Sequence, residues 1–313
     1  MNSSSPSQIK LKDPIFICGE GRSGTKLLRD TLARHSGINF FRCETYIFVK
    51  SKLHRIKNLD LAEKSGDLGY LVKAVIACVV SKNKNIAAKT IKNKNFDLEI
   101  ENLAKELQAH YQLEFDTLDI FDKVAHLLTL KAQKSRWLEK TPFHIYYLDE
   151  IFAKYPNAKA VLTLRDPKAV YASWKKKDPD KSLIGVAESW NKVNQEIEKA
   201  QNKYQNIMLV KFEDLVAKPK ETLTELCDFI GENFEEALLD AEVVNSKFEE
   251  NKKSGFDKDI INRWQEQLSE REIMLIDKLC FKENNPTGLL DYLYYYFDYI
   301  MKKFKKLWSW LGA

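Results

Sequence analysis

Pro14-Ile15-Phe16-Ile17-Cys18-Gly19-Glu20-Gly21-Arg22-Ser23-Gly24-Thr25 is the stretch on which the fold turns. Its first part is a short continuous apolar run ending at a glycine, as a buried parallel strand entering a tight turn would. Beyond Gly24 the period changes: Leu27, Leu28, Leu32 and His35 share one face at helical spacing, with Lys26, Arg29 and Asp30 elsewhere. The stretch therefore reads as strand, glycine-rich turn, helix. In that order backbone N–H groups and a helix N-terminus meet at one place, which favours a bound anion. A nucleotide-kinase loop, G-x-x-x-x-G-K-[S/T], fails here, because Thr25 occupies the lysine position and Lys26 falls one residue late.

Working outward, Ala160-Val161-Leu162-Thr163-Leu164 and Ile207-Met208-Leu209-Val210 are two more apolar runs, each set between helical patterns. This alternation predicts an α/β fold with a parallel sheet flanked by helices. Helices are expected to start near Pro167 and Pro219, because proline suits the first turn. Residues 46–135 lack good strand candidates and read as a helical insertion. The main domain is expected over residues 1–285, with an aromatic and basic tail at 286–313. Lys82, Lys84, Lys89, Lys92 and Lys94 make a basic stretch inside the insertion, read as a solvated surface or an attraction for an acidic acceptor.

The bulk composition excludes more than it selects. A chain of 313 residues with 44% hydrophobic content can bury one substantial core, and a net charge of +5 admits an anionic small molecule without demanding nucleic acid. The five cysteines are scattered and include no Cys-x-x-Cys pair, which argues against a disulfide framework or zinc site and fits a reducing compartment. Met1–Pro6 lacks a signal peptide's apolar core, and no uncharged apolar stretch is long enough to span a bilayer. A cytoplasmic protein, soluble or peripheral to a membrane, is expected.

A second anion site is suggested where the strand at 160–164 ends in Arg165-Asp166-Pro167, with Ser173 two turns into the helix that follows. Arginine and serine so placed can converge on one phosphate. Alone, Arg-Asp-Pro is also a common helix cap. Together with Gly21-Arg22-Ser23-Gly24-Thr25, however, these residues resemble the P-loop sulfotransferases, which use 3'-phosphoadenosine 5'-phosphosulfate (PAPS) as donor and release 3',5'-ADP. The resemblance continues through Trp137-Leu138-Glu139-Lys140-Thr141-Pro142, similar to the family's E-K-T-P segment, and Val210-Lys211-Phe212-Glu213-Asp214-Leu215, similar to its V-x-Y-E-D-L. It reaches Asn262-Arg263-Trp264 and covers most of residues 14–280.

The resemblance implies that Gly21, Arg22, Ser23, Gly24, Thr25 and Lys26 hold the 5' phosphosulfate, with Lys26 standing where the family often has a second threonine. It implies that Arg165 and Ser173 clamp the 3' phosphate, with Ser246 and Arg263 as further contacts from the C-terminal loop. Arg263 reads equally well as a solvent-facing helix residue beside a packed Trp264. Lys140 and Arg22 carry over as stabilisers of the charge that leaves sulfur.

Sulfonate transfer also needs a base for the acceptor proton. Glu44, in Phe41-Arg42-Cys43-Glu44-Thr45, is the candidate, similar in setting to a glutamate of the protein-tyrosine sulfotransferase branch. A surface salt bridge is the plainer reading of the same residue. His35 and His144 lie near matched segments but in helical patterns that favour structural burial. No metal is expected, since the sequence has no H-E-x-x-H and no carboxylate cluster at ligand spacing. The expected reaction is in-line transfer of sulfonate from PAPS to a hydroxyl or amine acceptor: carbohydrate, lipid, phenol or peptide tyrosine. A P-loop kinase and a non-catalytic, membrane-associated nucleotide-binding protein are the alternatives.

The tail mixes aromatics and lysines from Leu289 to Leu311 after the helix-breaking Pro286-Thr287-Gly288. Such an amphipathic helix packs on the domain, forms a homodimer contact, or lies on a membrane surface with Lys302, Lys303, Lys305 and Lys306 toward anionic lipid.

Overall fold

The computed structural model describes residues 9–41, 43–49, 71–72, 74–75, 102, 105, 117–240, 256–281 and 293–302. Five strands, β1 (Ile15–Gly19), β2 (Ile38–Phe40), β3 (Arg136–Lys140), β4 (Lys159–Leu164) and β5 (Ile207–Lys211), form a parallel sheet in the order β2-β3-β1-β4-β5. The α-helices are α1 (Thr25–Leu32), α2 (Thr117–Lys131), α3 (Leu148–Lys154), α4 (Pro167–Lys177), α5 (Leu183–Lys203), α6 (Phe212–Ala217), α7 (Pro219–Ile230) and α8 (Glu270–Phe281). Residues 293–302 form a further helix, α9. The fold is the α/β arrangement expected from the sequence. Two compact units divide the chain: Met1–Cys18 with Leu28–Val161, and Gly19–Leu27 with Leu162–Ala313.

In the first unit, β3 pairs in parallel with β1, setting Phe16 opposite Glu139 and Ile17 opposite Lys140. On its other edge β3 pairs with β2. Trp137 anchors the core, with Phe16 and Phe121 edge-on to it at 5.5 and 5.6 Å. Such edge-to-face packing suits the ring quadrupoles. The inner face of α2 supplies Ile120, Phe121, Val124 and Ala125 at helical spacing. The described residues of 71–131 are helical, in keeping with the insertion read from the sequence, while the basic stretch Lys82–Lys94 lies outside the described residues.

Two local expectations change. Arg136–Lys140 is a strand, although its sequence, Arg-Trp-Leu-Glu-Lys, carries charges at three of five positions. The apolar run that would have announced it is missing because this strand carries buried charge. After it, a helix over Phe143–Lys154 would be the simple reading of the sequence, but Pro142–Tyr147 is a 3-10 turn and α3 begins only at Leu148.

In the second unit, Asp166 caps α4 by accepting a hydrogen bond from the Lys168 backbone N–H at 2.7 Å, and Pro167 opens the helix. Pro219 likewise opens α7, which ends at Gly231 in the left-handed conformation with φ 72°. The stripe Leu183, Val186, Ala187, Trp190, Val193, Ile197 and Ala200 buries one face of α5. Val170, Tyr171, Leu183, Trp190, Leu275 and Ile276 from α4, α5 and α8 share one cluster.

Candidate active site

The second unit holds the whole glycine-rich loop. Gly19, at φ 132°, crosses so close to β4 that a Cβ there would lie 2.2 Å from the Thr163 carbonyl oxygen. Gly24, at φ 83°, passes the Phe212 ring with room for no side chain, since a Cβ would meet it at 2.5 Å. Both positions require glycine for conformation and for space. Between them Arg22 adopts φ 70°, unusual for a residue with a side chain. The Ser23 hydroxyl is buried with no hydrogen-bond partner among the described residues. Thr25 is buried at the start of α1, and Lys26 is exposed in the first turn. A buried hydroxyl without a partner costs free energy, which an anion oxygen within reach would recover.

The left-handed turn at Arg22 brings its guanidinium to α4, where Nε donates to Ser173 Oγ at 2.9 Å. Arg165, at the end of β4, donates to the Arg22 carbonyl at 3.4 Å and to the Ile260 carbonyl at 3.2 Å. Its guanidinium lies 4.1 Å from the centre of the Phe212 ring, and its Nε is buried with no partner among the described residues. Burial lowers the Arg165 pKa to about 10, which leaves it charged at neutral pH. Burial likewise lowers Arg22. The same unit therefore concentrates two half-buried cations and a hydroxyl, with Arg165 Nε left without a partner among the described residues.

Glu213 and Asp166 act on Arg165 from within the same unit, and the loop itself carries a buried acid. Glu20 is 5% exposed and accepts a hydrogen bond from Ser189 at 3.0 Å. Burial pushes its carboxyl up to about 7, against the opposing pull of Ser189, the Gly21 N–H and the Lys181 charge.

The first unit holds a different cluster. Glu44 pairs with Lys140, and the Tyr46 hydroxyl donates to Glu44 Oε2 at 2.7 Å. Burial alone would raise the Glu44 carboxyl, but Lys140 and Tyr46 outweigh it and hold the group below the usual carboxylate range. Burial also lowers Lys140, with Glu44 opposing. Beneath this pair lies Glu139, fully buried. Its Oε1 accepts from the Thr45 backbone N–H at 3.2 Å and the Thr45 hydroxyl at 2.9 Å. Thr141 donates to the same oxygen, and His144 Nδ1 meets Oε2 at 2.9 Å. Burial tends to raise Glu139, yet His144 and these hydrogen bonds leave it lowered. Glu139 thus ties the loop bearing Glu44 to the strand bearing Lys140.

A model described as the sulfotransferase family matches residues 14–236, well over half of the chain. The chain belongs to the sulfotransferase family. It is an enzyme of sulfonate transfer. Among solved structures, the sulfotransferase domain of the Synechococcus PCC 7002 olefin synthase is 19% identical, with a TM-score of 0.59, covering 91% of this chain and 100% of that one. The sulfotransferase domain from the curacin biosynthetic pathway is also 19% identical, with a TM-score of 0.56 and coverage of 88% and 100%. At that identity the likeness establishes the fold. A comparison with curated proteins finds no match.

The sulfotransferase brings together Arg22, Arg165 and Ser173 in one unit, and Glu44 with Lys140 in the other. Lys140 is a buried residue at the end of β3. Arg263 is half-buried and donates to Asp257 at 3.2 Å, in the segment whose Ile260 carbonyl accepts from Arg165. Ser246 lies outside the described residues. His35 falls beyond the end of α1, and its Nδ1 accepts from the Gly37 N–H at 3.0 Å. Sequence reasoning missed Glu20 and Tyr46 and passed over Glu139 and His144 as site residues. The signal for Glu139 was its place beside Lys140, since a carboxylate inside a strand needs a partner once buried.

Proposed function

We propose that the sulfotransferase takes sulfonate from PAPS and passes it to a hydroxyl or amine acceptor by in-line displacement, releasing 3',5'-ADP. The observation that carries the donor assignment is the coexistence, in one unit, of the loop with the orphaned Ser23 hydroxyl and the Arg22–Ser173–Arg165 cluster. PAPS is anionic at both ends. On this reading Gly21–Lys26 takes the 5' phosphosulfate, while Arg165 and Ser173, aided by Arg263 and Ser246, take the 3' phosphate.

Glu44 is the base. Held below the usual carboxylate range, it is unprotonated at neutral pH and able to receive the acceptor's proton. As the acceptor's lone pair bonds to sulfur, the bond from sulfur to the 5' phosphate oxygen breaks and that oxygen keeps the electron pair. Lys140 and Arg22 meet this charge. The Glu44–Lys140 contact supports a linked response: a lysine drawn toward the leaving oxygen releases the carboxylate, whose basicity rises when a proton must be taken.

The deciding experiment compares binding of 3',5'-ADP with that of ATP and magnesium by calorimetry. Tighter binding of 3',5'-ADP is expected, and a preference for ATP with magnesium overturns the donor assignment. Labelled PAPS offered to pools of hydroxyl and amine compounds then reads out the acceptor class.

A further inference from the structure

Helix α9 lies beyond residues 14–236, the stretch matched by the family, and the catalytic reading uses none of it. One face is committed to the protein. Tyr295 and Tyr299 pack on the cluster built from α4, α5 and α8, and the Tyr299 hydroxyl donates to Glu188 at 2.8 Å. Lys302 donates to the Pro179 carbonyl at 3.5 Å. The opposite face is apolar and open: Leu293 is 48% exposed, Tyr294 70%, Phe297 65% and Met301 51%. A helix whose packing already satisfies one side has no folding reason to place four large apolar groups on the other.

The chemistry of an occupant follows from the charges. Residues 293–313 contain four lysines and a single acid, Asp298. Asp298 pairs with Lys302 at 3.0 Å. The Pro179 carbonyl reached by Lys302 belongs to the turn at residues 175–181, in which four lysines outnumber Asp178 and Asp180 and Lys175 pairs with Glu272. In the sequence, the three- and four-residue spacing of the open stripe recurs at Phe304, Leu307, Trp308 and Leu311, with Lys303, Lys305 and Lys306 between them. Apolar and aromatic groups in a stripe, bordered by lysines, match the boundary between lipid headgroups and acyl chains. A second copy of the chain would instead bring another run of lysines, with no acidic run in residues 293–313 to meet it.

We propose that the face formed by Leu293, Tyr294, Phe297 and Met301 docks on an anionic lipid bilayer, with Lys303, Lys305 and Lys306 supplying charge for the headgroup phosphates. The helix lies in the surface and does not cross it; among the described residues no helix is long and apolar enough to span. Each lysine at the surface strengthens binding by about fivefold, so salt weakens it.

The test is flotation of the full chain with vesicles of mixed phosphatidylglycerol and phosphatidylcholine, against vesicles of phosphatidylcholine alone. Binding to the anionic vesicles is expected, at least about tenfold weaker on the neutral ones and reduced by added salt. The double variant Tyr294→Glu with Phe297→Glu, both positions exposed, should lose vesicle binding by about tenfold or more while binding 3',5'-ADP as the parent does. Equal binding to both vesicle types, or vesicle binding unchanged in the variant, overturns the proposal. So does a dimer in sedimentation that Phe297→Glu dissociates while anionic vesicles float without protein, since that result assigns the face to a second copy.

Discussion

Residues 19–25 with Arg165 and Ser173, and residues 44–46 with Glu139–His144, both bury charge, and they satisfy it differently. In the second set each carboxylate has a nitrogen partner, Glu44 in Lys140 and Glu139 in His144 Nδ1, and only His144 Nε2 is left over among the described residues. In the first, Arg22 donates to a neutral hydroxyl and Arg165 to two carbonyls, while Ser23 Oγ and Arg165 Nε are left over. Buried groups closed on one another are a framework, whereas cations with unspent donors are prepared for a ligand that brings the missing negative charge. On the proposed reading, the first region is the donor cradle and the second the machinery that moves the proton.

Four measurements can break or sharpen that contrast, the largest effect first. Glu44→Gln removes the base and should lower turnover by about 10²–10⁴, with 3',5'-ADP affinity nearly intact. Unchanged turnover would retire Glu44. Glu139→Ala leaves His144, Thr45 and Thr141 without their shared acceptor and should cost about 3–5 kcal/mol in urea unfolding. A loss no larger than that of an ordinary surface substitution would mean that the cluster is not closed.

Arg165→Gln should weaken 3',5'-ADP by about 10- to 100-fold and change 5'-AMP far less, since a charge-assisted bond is worth ~1.5–3 kcal/mol. The ligand-free variant should keep the parent's stability or exceed it, because a desolvated cation is removed. A fall as deep as that of Glu139→Ala would erase the distinction between the two regions.

The smallest effect concerns Glu20. Its carboxyl ionises near pH 7 inside the anion loop, so 3',5'-ADP affinity should fall a few-fold as pH rises through that value, relative to Glu20→Gln measured in parallel. The parallel series matters because the ligand's own phosphates titrate near pH 6 and work in the opposite direction. In the ligand-free protein the raised pKa means that the folded state holds a proton which the unfolded state releases between 4.5 and about 7, so stability falls as pH rises through that window. Identical pH profiles for parent and variant would remove Glu20 from the account.

The sequence was most legible where local chemistry and position coincide. Apolar runs at 15–18, 160–164 and 207–210 became β1, β4 and β5; β1 and β4 are buried parallel strands, apolar on both faces, while β5 is the half-buried edge strand. Pro167 and Pro219 marked helix starts for a steric reason that needs no tertiary context. β3 escaped the same reading, since Arg136, Glu139 and Lys140 disguise a strand in which Glu139 and Lys140 find their partners, Thr45 and Glu44, far along the chain.

By itself, the sequence determined that a glycine-rich turn joins a buried strand to a helix, that its lysine position is threonine, and that arginine and serine follow the strand at 159–164. These are matters of residue order and backbone preference. Only the tertiary structure decided that Gly24 must be glycine to clear Phe212, that Arg22 turns to Ser173, and that Glu139 holds Thr45 to Thr141. Each of these depends on which side chains burial brings within hydrogen-bond reach across 90 or more residues, and no local spacing encodes that.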